Sequence, residues 1–299
     1  MKRSLTYGMI TVLLWSTMAP VVKVVLGEIP SLEALTVGSV LAFLFLLVLN
    51  CAQGRIRKLR DYRPRQFLAM AGLAVIGLFL YHALYYRGLT ELTVQEACIA
   101  NYMWPVMIVV FSMIILKEKM TFVKGQAMLC SFAGVIILSA GGAGAPGNRL
   151  LGLVCCFGAA VLYGLFSVLN KKCDYDQNIS MMIFWLVTAV CSAIAGPLTE
   201  TWVPIRGLQW LGMLWIGIGS NAVAYLLWAL ALRGVENTAV VANLAYLTPF
   251  LSVLLSAIFL KEEIRPRAIL ALVLIVGGIL VQNLWEGKGL RDRNDERSS

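Results

Sequence analysis

Charged residues are scarce in this sequence, and histidine is almost absent from it. Only 14% of the 299 residues are Asp, Glu, Lys or Arg, and His82 is the single histidine. Hydrophobic residues make up 60% of the chain, and the mean hydropathy is +0.80. A composition this poor in charge excludes an ordinary soluble domain, because such a domain needs a polar surface.

Motifs of nucleotide, metal and redox chemistry are also missing. The sequence contains no P-loop, dinucleotide-binding fingerprint or catalytic triad. Its seven cysteines show neither Cys-x-x-Cys nor Cys/His spacing, which indicates packing residues rather than metal ligands or disulfides. We therefore expect no cofactor, no metal and no use of ATP, so any active transport would draw on gradients of ions or substrate.

Apolar segments recur along nearly the whole chain. Each is long enough to cross a hydrocarbon core of about 30 Å. Only helices satisfy their backbone groups in lipid without closing a barrel, so the pattern predicts an all-α integral membrane protein surrounded by lipid. The ten predicted transmembrane helices cover, approximately, residues 5–25, 32–50, 67–86, 94–116, 123–140, 150–170, 179–198, 208–232, 238–260 and 267–285.

The net charge of +9 is explained by membrane topology rather than by nucleic-acid binding. If the N-terminus lies inside, the inner segments carry 18 Lys and Arg residues and the outer loops carry 6. Such an excess is the positive-inside signal, and it predicts that both termini face the cytoplasm. The sequence therefore predicts a multi-pass membrane protein with no nucleic-acid partner.

An internal repeat relates the two halves of the chain. Pro105 is followed eleven residues later by Leu116-Lys117-Glu118, and Pro249 is followed eleven residues later by Leu260-Lys261-Glu262. A glycine-rich linker at 141–149 separates a first repeat at 1–140 from a second at 150–285, and a polar, disordered cytoplasmic tail follows at 286–299. Each repeat holds five predicted helices. An odd number inverts the second repeat relative to the first, which favours a binding site between them near the membrane midplane.

Polar and aromatic residues cluster at four places in the predicted helices. In the third helix, Tyr81, His82 and Tyr85 share one broad face. Tyr163 in the sixth helix is another candidate. The remaining candidates lie around two proline kinks: Asn101, Tyr102 and Trp104 beside Pro105, and Asn243, Tyr246 and Thr248 beside Pro249. Proline-broken helices in corresponding positions of two repeats are the best sequence indication of a transport site.

Several of these residues also have a purely structural interpretation. His82 and Tyr163 could be packing residues of the bundle, and Asn101 could cap the carbonyl that the kink frees. Glu96 could stabilise the start of the fourth helix, or it could be a coupling or gating carboxylate. A membrane-embedded enzyme is disfavoured because one histidine and one glutamate are too few polar groups for a catalytic site. A purely structural protein is disfavoured because it would not need paired kinks with clustered aromatic residues.

The sequence resembles the EamA-type members of the drug/metabolite transporter superfamily over residues 5–285. The resemblance rests on Leu14-Trp15-Ser16-Thr17-Met18, on Tyr81-His82-x-x-Tyr85, on Glu96 nine residues before Pro105, and on the paired proline blocks. Within the superfamily these blocks are most similar to the bacterial aromatic amino acid exporters. Such a resemblance implies a cavity lined from helices one, three, four, six, eight and nine. It places Tyr163 where those exporters have tryptophan, and it suggests Ala245 and its neighbours on helix nine.

The implied function is export of amino acids, aromatic or otherwise apolar, and of related small metabolites by alternating access. A broad exporter of hydrophobic drugs is the main alternative. A small cationic-drug antiporter is disfavoured because the first helix has no acidic residue in its core, and nucleotide-sugar transport because no Lys or Arg cluster lies within the membrane. The sequence leaves the substrate, the coupling ion and the oligomeric state open, and it is compatible with a monomer.

Overall fold

The computed structural model describes residues 2–117, 122–140, 147–173, 175–233, 243–278 and 280–281. Every regular element in these ranges is helical, which confirms the all-α prediction for the described part of the chain. Most of the predicted linker and the whole predicted tail lie outside the described residues.

The first half contains five helices, which we number α1 to α5. They are α1 (Lys2–Leu26), α2 (Ser31–Ala52), α3 (Pro64–Glu91), α4 (Val94–Ile115) and α5 (Phe122–Ala140). A 3₁₀ turn at Arg55–Asp61 precedes α3, and α3 contains a π-helical stretch at Val75–Leu80. Helix α4 is interrupted at residues 102–103, between Val94–Asn101 and Trp104–Ile115.

The second half follows the same order. It contains α6 (Arg149–Lys171), α7 (Gln177–Thr199), α8 (209–233), α9 (Leu247–Phe259) and α10 (Pro266–Gly278). Like α3, helix α8 contains a π-helical stretch, at Trp215–Val223. A 3₁₀ turn at Asn243–Tyr246 leads directly into α9.

Seven helices of the described residues are long and apolar enough to cross a membrane, namely α1, α2, α3, α4, α6, α7 and α8. Helices α9 and α10 are apolar but shorter. The architecture is that of a multi-span helical bundle. The total of ten transmembrane helices and the cytoplasmic position of the termini remain predictions.

Helix starts in the bundle follow the ordinary preference for side-chain caps. Thr93 Oγ1 accepts a hydrogen bond from the backbone N–H of Glu96 at the start of α4. Asn148 caps α6, and Asp176 caps α7, where its carboxylate accepts from the N–H of Asn178 at 3.0 Å. These caps explain why the helices begin where polar residues precede the apolar runs.

Corresponding helices of the two halves have corresponding neighbours. Helix α1 packs along α8 and α9, just as α6 packs along α3 and α4, and α2 packs along its own counterpart, α7. The Leu-Lys-Glu blocks also correspond, because Lys117 and Lys261 both adopt a positive φ, 57° and 54°. A left-handed residue of this kind ends a helix, so both blocks stop the kinked helix in the same way.

Candidate substrate cavity

A cavity of about 350 Å³ lies between the two halves, with walls from α1, α3, α4, α6, α8 and α9. Its volume falls within the range of about 300–1,000 Å³ that is typical of small-molecule sites. The described residues that line it carry no charged side chain. They are Trp15, Met18, Ala19, Tyr81, Tyr85, Cys98, Asn101, Tyr102, Trp104, Ile108, Tyr163, Ser167, Tyr225, Trp228, Ala245, Thr248, Pro249 and Ser252.

One group of aromatic rings surrounds Tyr163 of α6. Its ring centroid lies 5.0 Å from that of Tyr81 and 5.4 Å from that of Trp104. The ring of Tyr102 contacts Trp104 edge-on, with centroids 5.8 Å apart. Centroid distances of 4.5–7 Å are those of interacting aromatic pairs, so these side chains form one continuous surface. The structure thus brings four of the sequence-predicted residues together.

A second group of aromatic rings surrounds Trp15 of α1. Its ring centroid lies 5.3 Å from those of Tyr225 and Trp228, both on α8. Tyr225 and Trp228 are not among the residues predicted for the site from the sequence. The signal that could have found Tyr225 is the repeat itself, because Tyr225 follows Tyr81 by the same 144 residues that separate Pro249 from Pro105.

The interruption of α4 and the start of α9 are joined by a hydrogen bond. The hydroxyl group of Tyr102 donates to the backbone carbonyl of Ala245 at 2.7 Å. Proline has no N–H, so Pro249 cannot donate to this carbonyl four residues before it. Tyr102 therefore satisfies, from the other half of the chain, the acceptor that the second proline leaves open.

Asn101 and Thr248 contribute the polar part of the wall beside the two prolines. The amide nitrogen of Asn101 donates to the hydroxyl of Tyr81 at 3.1 Å. The backbone carbonyl of Thr248 accepts from the Ser16 hydroxyl at 3.4 Å. Asn101 Oδ1 and Thr248 Oγ1 have no hydrogen-bond partner within the described part of the chain. The side chains of Asn243 and Tyr246, also predicted for the site, lie outside what the structure describes.

The side chain of His82, also predicted for the site, does not line this cavity. Its Nδ1 lies 2.7 Å from the carbonyl of Leu78 one turn earlier in α3. Its ring is fully buried against Tyr86 and Trp185, with centroids 5.9 and 5.2 Å away. Adjacent residues of an α-helix point about 100° apart. Tyr81 therefore faces the cavity while His82 faces α7.

Glu96 also lies away from the cavity, at the start of α4. Its carboxylate forms a 2.8 Å ion pair with Arg149, which opens α6 in the other half. Nearby, Glu262 accepts a 2.8 Å hydrogen bond from the backbone N–H of Val94, and Gln95 donates through its side chain to the Glu263 carbonyl at 2.9 Å. These contacts hold the two halves together at this end of the bundle.

An apolar multi-span bundle around a cavity whose described lining is aromatic and uncharged is typical of a membrane carrier for small molecules. The model of the EamA-like transporter family matches residues 2–140 and 150–284. The chain belongs to this family, which is part of the drug/metabolite transporter superfamily, and it is a multi-pass protein of the bacterial inner membrane.

Similar proteins include two that are named as amino acid exporters. The aromatic amino acid exporter YddG of Ancylobacter novellus is 29% identical over 93% of this chain and 96% of that protein. A probable terminal-alkyne amino-acid exporter of Streptantibioticus cattleyicolor is 23% identical over 92% of this chain and 91% of that protein. A crystal structure with 26% sequence identity matches 94% of this chain and 96% of the other with a TM-score of 0.70.

Proposed function

We propose that this protein exports amino acids with aromatic or other apolar side chains, together with related metabolites. The observation that carries the proposal is the cavity between the halves, which combines two aromatic groups with unpaired polar atoms and no charged side chain in the described lining. Aromatic walls favour flat or apolar groups by stacking and burial. The names of two relatives as amino acid exporters support the same substrate class.

Efflux from proteoliposomes loaded with labelled amino acids tests this proposal. We expect phenylalanine to leave vesicles that contain the protein faster than lysine or glutamate, because the described cavity wall offers no counter-charge to a charged side chain. Trp104→Ala should slow phenylalanine efflux about three- to tenfold, in line with the contribution of aromatic pairs. Trp210→Ala is the matched control, because Trp210 is 43% exposed and does not line the cavity.

Two outcomes would contradict the proposal. Wild-type vesicles that move a hydrophobic dye but no amino acid would favour the broad drug exporter. If no small solute moved, transport itself would be refuted. Equal loss of efflux in Trp104→Ala and Trp210→Ala would leave transport standing but remove Trp104 from the site.

We further propose alternating access between two inverted five-helix repeats, with both termini cytoplasmic and the substrate in the cavity between them. The separate family matches to 2–140 and 150–284 and the reciprocal packing of α1 and α6 support this arrangement. If the cavity opens at the end where Glu262 meets α4, the contacts there must break. The contact between Gln95 and Glu263 is then formed in only one of the two states.

A reversible cross-link tests this mechanism. Cysteines placed at Gln95 and Glu263, with the seven native cysteines replaced by alanine, should trap the closed end when they are oxidised. Oxidation should then stop phenylalanine efflux, and reduction should restore it. Full transport by the cross-linked protein would contradict opening at this end. Each single cysteine variant under the same oxidation is the control.

A further inference from the structure

Two residues that line the cavity each carry a buried, unpaired polar atom, and the two atoms differ in their chemistry. Asn101 is only 8% exposed, and its Oδ1 can accept hydrogen bonds but cannot donate them. Thr248 Oγ1 belongs to a hydroxyl group, which can donate. Buried polar atoms are normally paired, so an unpaired pair in the wall of one cavity indicates a ligand that supplies the missing partners.

The orientation of Asn101 determines which partner it takes. Its amide nitrogen is occupied by the 3.1 Å hydrogen bond to the Tyr81 hydroxyl, so the oxygen is left for the ligand. An oxygen acceptor binds a donor, and an ammonium group is the strongest donor that a small metabolite carries. Thr248 stands beside the other proline, and its hydroxyl suits an acceptor such as a carboxylate.

A ligand that is neutral overall should bind more tightly than an analogue with a net charge. The described lining contains no charged side chain, and burying an unpaired net charge is strongly unfavourable. A zwitterion meets both conditions, because its two opposite charges can each be hydrogen-bonded at separate points of the wall. Neutral α-amino acids are zwitterions of this kind.

We propose that Asn101 Oδ1 binds the α-ammonium group and the Thr248 hydroxyl binds the α-carboxylate of a neutral amino acid. The side chain of that amino acid then lies against the aromatic group around Tyr163. This assignment rests on the proposed function of amino acid export. Beyond that function, it specifies which end of the substrate each half of the chain recognises.

Binding of three ligands to the purified protein distinguishes recognition of the ammonium group from recognition of the carboxylate. Labelled phenylalanine is competed with 2-phenylethylamine, which lacks the carboxylate, and with 3-phenylpropionate, which lacks the ammonium group. Asn101→Leu should weaken phenylalanine and phenylethylamine about tenfold or more and leave phenylpropionate nearly unchanged. Thr248→Val should weaken phenylalanine and phenylpropionate and spare phenylethylamine.

Two further variants distinguish a specific loss of affinity from misfolding or a nonspecific effect. Thr188→Val removes a buried hydroxyl of α7 that donates to the carbonyl of Phe184, away from the cavity, and should leave all three affinities unchanged. Asn101→Asp keeps the size of the side chain and adds a negative charge. It should shift the preference from phenylalanine toward phenylethylamine by about tenfold.

The reverse pattern would overturn the assignment: phenylpropionate lost in Asn101→Leu, or phenylethylamine lost in Thr248→Val. Equal weakening of both analogues by either variant would overturn it as well. Both results presuppose wild-type protein that binds and exports phenylalanine. Wild-type protein that neither binds nor exports any amino acid would instead refute the proposed function.

Discussion

The hydrogen bond from Tyr102 to the Ala245 carbonyl joins the two halves of the chain, and its contribution to the free energy of unfolding can be predicted. The acceptor is the carbonyl to which Pro249, lacking an N–H, cannot donate a helical hydrogen bond. Tyr102 itself is only 6% exposed. Removing one partner of a buried hydrogen bond leaves the other unsatisfied, at a cost of about 1–3 kcal/mol. We therefore expect Tyr102→Phe to lower the free energy of unfolding by that amount, measured by thermal unfolding in detergent.

Tyr85→Phe is the matched control for this change. It also removes a buried tyrosine hydroxyl from the cavity wall, but the partner of that hydroxyl among the described residues is the sulfur of Cys98 at 3.5 Å, and a thiol is a weak partner. The difference between the two variants therefore measures what the hydroxyl group of Tyr102 contributes, including its bond to the Ala245 carbonyl. We expect Tyr85→Phe to lose well under half as much stability as Tyr102→Phe.

A second substitution at Pro249 supplies the decisive comparison. Pro249→Ala restores a backbone N–H four residues after Ala245, so the carbonyl regains a helical partner. The double variant Tyr102→Phe, Pro249→Ala should recover much of the stability that Tyr102→Phe loses, a coupling that a double-mutant cycle measures. The reasoning is refuted if Tyr102→Phe is no worse than Tyr85→Phe, or if Pro249→Ala leaves its loss unchanged.

Two further predictions concern packing and charge. A Cβ on Gly164 of α6 would lie 2.5 Å from the Cβ of Met107 on α4, so Gly164→Ala should lower the unfolding temperature by several degrees, whereas Gly125→Ala, with open space around it, should not. Burial disfavours the charged form of Asp176, but hydrogen bonds from Lys58 and from two amide groups of α7 outweigh it and hold the pKa of this carboxyl below its ordinary value. Asp176 thus adds stability above its unfolded pKa of about 4, and this stability is lost as the pH falls through the lower folded pKa. The destabilisation of Asp176→Ala measured at pH 7 should therefore shrink on acidification, and a constant difference down to acid pH would contradict it.

The helical architecture was accessible from the sequence because a bilayer imposes a strong pattern. Long apolar runs bounded by polar caps predicted that α4 begins at Val94 and α6 near Arg149. In the structure the two helices begin at these residues. The π-helical stretches in α3 and α8 could not be predicted. Apolar side chains carry no periodic signal that distinguishes a π turn from the α-helix around it.

The site was only partly accessible, and His82 shows why. Tyr81 and Tyr85 stand four residues apart and line the cavity, while the ring of His82 packs against Tyr86 and Trp185 instead. Polarity within the membrane suggested a cavity position for His82. Helical spacing alone could separate the two faces, but it could not say which of them bordered the cavity.

Divergence between the two repeats supports distinct roles for Asn101 and Thr248. At the 144-residue offset of the repeat, Asn101 corresponds to Ala245, and Thr248 corresponds to Trp104. Each half therefore supplies one polar group where the other half has an apolar side chain. A ligand with two identical ends would need no such difference, whereas the ammonium and carboxylate ends of an amino acid do. Under the proposed mechanism the scaffold can remain symmetric and still change its direction of opening, while the unequal residues beside the two prolines would keep the substrate in one orientation.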